Sequence, residues 1–65
     1  MKIHDMMVLS VESGDPAKIG HVADILRFVV KLNYGQVCDA FHDITGIDQA
    51  ELDALLYEYD NLKSV

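Results

Sequence analysis

The sequence predicts an all-α fold: a small bundle of three to four short helices ending in an acidic αα-hairpin with a helix-turn-helix-like outline. Three observations carry this expectation. Apolar residues recur at three- and four-residue steps. Three breaks cut the chain into segments of helix length. Only Val8-Leu9-Ser10-Val11 has the β-branched character of a strand, and no second candidate could pair with it except across a dimer. On this reading residues 1–65 form one helical domain.

The first segment, Ile3 to Glu12, is expected to be a short helix, because the junction after it looks like a helix–helix connection. In Ser13-Gly14-Asp15-Pro16, Gly14 can take the left-handed turn that ends a helix. Asp15 can accept from the free amides of the next helix, and Pro16 suits its first position. From Asp15 onward, Ile19, Val22, Ala23, Leu26, Val29 and Val30 line one face, with Ile25, Phe28 and Leu32 as a second stripe beside it. A helix apolar over so much of its circumference is either central to the fold or shared with a second chain. Ile25, Phe28 and Leu32 are therefore the candidate self-association residues of a homodimer.

Asn33-Tyr34-Gly35 makes the second break, Asn33 and Gly35 both tolerating positive φ. Val37, Phe41 and Ile44 then form the stripe of a third helix, with Tyr34 and Cys38 alongside. Gly46 closes that helix. Asp48 and Glu51 have capping-box spacing, and Ile47 and Leu52 occupy the positions of a hydrophobic staple. Leu52, Leu55, Leu56, Tyr59 and Leu62 line the last helix. Gly20, inside the second helix, reads as a close-packing point.

Charge divides the chain sharply. Residues 1–32 carry four acids and four bases, whereas residues 33–65 carry seven acids against Lys63 alone, which accounts for the whole net charge of −6. Such a surface suits a basic partner and is repelled by nucleic acid phosphates. Lone Cys38 allows no disulfide within the sequence and fits a reducing cytosol. Arg27 and Lys31 interrupt the richest apolar stretch, so no segment reaches membrane-spanning length, and the first residues do not read as a signal peptide. The expectation is a soluble, cytoplasmic protein that does not engage membranes.

Chemical motifs are sparse. His4, His21 and His42 lie on three segments, with no Cys-x-x-Cys or His-x-x-x-His pair to seed a zinc site, and residues 43–51 lack the alternating oxygen ligands of a calcium loop. Cys38 and His42 share a helix face but sit better as a buried thiol and its neighbour than as a catalytic pair. The isolated glycines cradle no phosphate. No metal, cofactor or enzymatic activity is expected.

The helix-turn-helix outline at residues 36–57 raises DNA binding as an alternative. A reading helix should offer Arg, Lys, Asn or Gln to bases, with cations for phosphates. This one offers Gln49, Glu51, Asp53 and Glu58, preceded by Asp39 and Asp43. The alternative reading of the acids is simple solvation of a structural or assembly subunit. Against that, Asp39 and Asp43 sit four apart, a like-charge spacing that costs a few tenths of a kcal/mol. Tyr34, Tyr57 and Tyr59 are suited to an interface, and Tyr57 lies off the core stripe among acids. The candidate partner-binding face is therefore Asp39, Asp43, Glu51, Asp53, Tyr57, Glu58 and Asp60, directed at a basic, arginine-rich protein. In size and charge, though in no motif, the chain is similar to the short acidic inhibitors of phages and mobile elements. That likeness of type implies an antirepressor-like modulator of a DNA-binding protein, with no direct nucleic acid binding.

Overall fold

The computed structural model describes residues 2–64, and its element boundaries fall at the three breaks in the sequence. Four helices follow one another: α1 (Ile3–Ser13), α2 (Pro16–Phe28), α3 (Tyr34–Thr45) and α4 (Gln49–Lys63), with no strand among the described residues. The segment with strand-like character is thus helix. It ends at Gly14, φ 67°, whose N–H donates to the Val11 carbonyl at 3.1 Å. Asp15 accepts from the Ala17 N–H at 2.9 Å, with Pro16 first in α2. Gly46, φ 78°, closes α3 by donating to the His42 carbonyl at 2.8 Å.

The other junctions use different residues from those the sequence suggests. The apolar stripe of α2 does not continue through Val29 and Val30, because the helix stops at Phe28. The amides of Val29 and Val30 both reach the Ile25 carbonyl, at 2.9 and 3.1 Å, and Leu32 N–H reaches Leu26 at 3.0 Å. Adjacent β-branched side chains lose rotamer freedom in a helix, and here no core faces them. The positive φ of this break belongs to Lys31, at 73°, rather than to Asn33 or Gly35. Asn33 instead caps α3: its side chain accepts from Gln36 N–H, and the Gln36 side chain accepts from Asn33 N–H, both at 2.9 Å. This reciprocal capping box forms here and not at Asp48, whose side chain bonds no amide although it stands at the α4 N-cap. The entry to α4 is fixed by other means. Ile47 and Leu52, the staple pair, are both buried; Ile47 N–H donates to the Thr45 hydroxyl at 3.3 Å, and His42 Nδ1 donates to the Ile47 carbonyl at 3.1 Å.

Helix α2 is the centre of the fold. It touches each of the other three helices, as α3 also does, and supplies more of the buried core than any other helix, whereas α1 and α4 make no contact. That position accounts for the stripe through Leu26, whereas Phe28 of the second stripe stays exposed. Its Ile19, Val22, Ala23 and Leu26 join Met7 of α1, Val37, Cys38 and Phe41 of α3, and Ile47 with Leu52 in the buried core. Leu55 and Leu56 pack half-buried against it, but Leu62 is exposed, so the α4 stripe ends before the helix does. Gly20 is a point of close approach of α2 to α4: a Cβ there would overlap the Tyr59 ring. No described helix is long and apolar enough to cross a membrane.

Candidate partner-binding cleft

The packing of α4 on α2 leaves a cleft of about 250 Å3 beside the Gly20–Tyr59 contact, closed at one side by the first turn of α3. Its floor is Ala23, Val37 and Leu56, and its polar lining is Asp24, Arg27, Tyr34, Asp53, Tyr57, Tyr59 and Asp60. All three tyrosines of the chain therefore meet around one hollow, together with three carboxylates and one cation.

Two of the phenols are tied to carboxylates on neighbouring helices. The Tyr34 hydroxyl donates to Asp53, joining α3 to α4. The Tyr59 hydroxyl donates to Asp24 Oδ2 at 2.8 Å, joining α4 to α2. Withdrawal of the Tyr34 hydroxyl from water and its bond to Asp53 push that phenol well above its ordinary value. The bond to Asp24, and then burial, push Tyr59 up as well. Both groups stay protonated donors at neutral pH. Tyr57 is 68% exposed, leaving its ring open to solvent. The ammonium of Lys63 lies 4.9 Å from the Tyr59 ring centroid and 3.6 Å from Asp24 Oδ2.

The residues singled out from the sequence divide into two sets. Asp53, Tyr57 and Asp60 line the cleft. Asp39, Asp43, Glu51 and Glu58 are exposed on α3 and α4 outside it. Two polar lining residues were not singled out, Asp24 and Arg27, and neither was Lys63, which contacts Asp24 and Tyr59 from outside the lining. Asp24 had one signal, as the only acid within α2, half-buried next to Ala23 of the core stripe. The proposed self-association residues do not share one surface. Phe28 is 62% exposed, Ile25 is half-buried, and Leu32 lies past the helix end and packs against the core.

Cys38 and His42 border a separate hollow with Asp39, Asp48 and Gln49. Burial pushes the Cys38 thiol up, away from the reactive thiolate, and His42 Nδ1 is engaged by the Ile47 carbonyl. Among the described residues no three His, Cys, Asp or Glu side chains gather as metal ligands. A groove between α1 and α2 is lined mainly by Met6, Leu9, Ala17 and Val22.

What fold and site define together is a four-helix domain with an aromatic, carboxylate-lined cleft. Compared with models of protein families, with curated proteins and with solved structures, the chain shows no significant match.

Proposed function

We propose that this protein is a non-enzymatic interaction module. It docks the acidic face of α3 and α4 on a basic, nucleic-acid-binding partner protein and so inhibits or modulates that partner, in the manner of an antirepressor. The observation that carries the reading is the convergence of all three tyrosines with Asp24, Asp53 and Asp60 around one cleft. Tyrosine supplies apolar area with a polar tip at low entropic cost, and a neighbouring carboxylate favours a cationic partner. Asp39, Asp43, Glu51 and Glu58 extend the negative potential around the cleft, which steers a basic surface toward it.

The test begins with capture of partners from the native host by wild-type protein and by a double reversal, Asp43→Lys with Glu58→Lys. Both sites are exposed, so the fold should be retained, with circular dichroism as control. The partner should bind the reversed protein more weakly, and binding of wild type should fall as salt rises, since rim charges act mainly on the association rate. Equal affinity for both proteins, without salt dependence, would show a surface that is only solvated.

Two other readings have distinct marks. A helix-turn-helix regulator would retard random DNA at low salt, and an assembly subunit would form a large homo-oligomer without foreign partners. We further propose a homodimer, now through exposed Phe28 with Val29 and Val30 beside it. Sedimentation as a monomer at micromolar concentration, unchanged by Phe28→Asp, would reject the dimer.

A further inference from the structure

We infer that the α2–α4 cleft receives a single arginine side chain of the partner, and that Lys63, whose ammonium meets the lining residues Asp24 and Tyr59, gives up those contacts on binding. This rests on the proposed interaction function and names the group recognised. The first support is the unbalanced charge of the lining: Asp24, Asp53 and Asp60 face one cation, Arg27. Arg27 forms no ion pair with them: the sole ion pair among the described residues is Lys63 with Asp24, and Arg27 lies over its neighbour Phe28, 5.4 Å from the ring centroid.

The second support is independent of the acids. A cation already meets two of the lining residues: the Lys63 ammonium is stacked over Tyr59 at cation–π distance while facing Asp24. It sits loosely, with its side chain 52% exposed at the last residue of α4. An exposed pair of this kind is held weakly, so an incoming cation with better geometry can replace it. A guanidinium has that geometry. Its plane stacks on a phenol, its fork of donors can serve two carboxylates, and it is less strongly hydrated than an ammonium. The open Tyr57 ring offers a second aromatic surface at the rim.

The probe is acetyl-tetra-arginine amide, titrated into the full chain in low salt by calorimetry, with backbone amide shifts to locate it. Lys63→Gln is expected to bind several-fold more tightly than wild type. Lys18→Gln, which removes the same charge outside the cleft, should change affinity much less. Tyr57→Ala should bind several-fold more weakly and lose the preference for tetra-arginine over tetra-lysine. Equal gains from Lys63→Gln and Lys18→Gln would overturn the displacement of Lys63. Shifts confined to Asp43, Glu51 and Glu58 would overturn recognition in the cleft while leaving the acidic face as a docking surface. No binding by wild type or Lys63→Gln would overturn this inference, and the charge reversal against the native partner would still decide the broader function.

Discussion

Lys31 carries a backbone conformation that few L residues adopt. At φ 73° its Cβ crowds the following carbonyl, which costs on the order of 1 kcal/mol or more, whereas glycine is free of that clash. Lys31→Gly is accordingly expected to stabilise the fold by up to about 1 kcal/mol, the gain being reduced by the greater entropy of glycine in the unfolded chain. A thermal melt followed by circular dichroism should show a midpoint several degrees higher. A lower midpoint would mean that the Lys31 side chain makes a contact worth more than the strain. The break itself was legible from Asn33 and Gly35, but the residue bearing the strain was not. Lysine has no turn preference, and it takes this position because the helix ends at Phe28, three residues short of it.

At the scale of elements, capping separates what local spacing can reveal from what tertiary packing decides. Asn33–Gln36 and Asp48–Glu51 have the same three-residue spacing, yet only the first closes reciprocally. Asn33→Ala should cost about 1 kcal/mol by releasing two amides at the start of α3. Asp48→Ala should cost only a few tenths, through the helix dipole, since no bond is lost. Denaturant unfolding of both variants should show the larger drop in midpoint for Asn33→Ala, and the reverse order would place the working cap at α4. Start and stop signals at Gly14, Asp15, Pro16 and Gly46 were readable because each acts within four residues of itself. The cleft was only partly readable for the opposite reason. Asp53, Tyr57 and Asp60 share α4, but Asp24 meets Tyr59 across 35 residues, a pairing set by the Gly20 approach of α2 to α4. No period within a single helix encodes it.

For the whole molecule, the two tyrosine bonds link stability to alkaline pH. Tyr34–Asp53 ties α3 to α4, and Tyr59–Asp24 ties α2 to α4. Both phenols are raised above their ordinary value of about 10 in the folded chain, so above that pH the unfolded chain loses its phenol protons first. Their contribution is fully present below about pH 10 and is lost as pH rises through the higher folded values. Lys63 faces the same Tyr59 ring and Asp24 carboxylate, so the comparison must be among tyrosine variants. Melting midpoints measured from about pH 9 to 11.5 should fall more steeply for wild type than for Tyr34→Phe with Tyr59→Phe. Parallel slopes would show that these hydroxyls titrate alike in both states. The all-round apolarity of α2 allowed either a central place or a shared face, and its Ile19, Val22, Ala23 and Leu26 take the first while Phe28 is left exposed. The concentration of acids in the second half of the sequence likewise became the surface of two adjacent helices.

The placing of every tyrosine off α1 has an optical consequence. There is no tryptophan, so the intrinsic ultraviolet emission comes from Tyr34, Tyr57 and Tyr59, all at the cleft and none on α1. A change in that emission therefore reports the junction of α2, α3 and α4, while α1 is silent. Helical ellipticity, by contrast, sums over all four helices. If α1 detaches before the rest of the bundle, ellipticity will begin to fall while the emission stays flat; if the domain unfolds in one step, the two curves will superimpose.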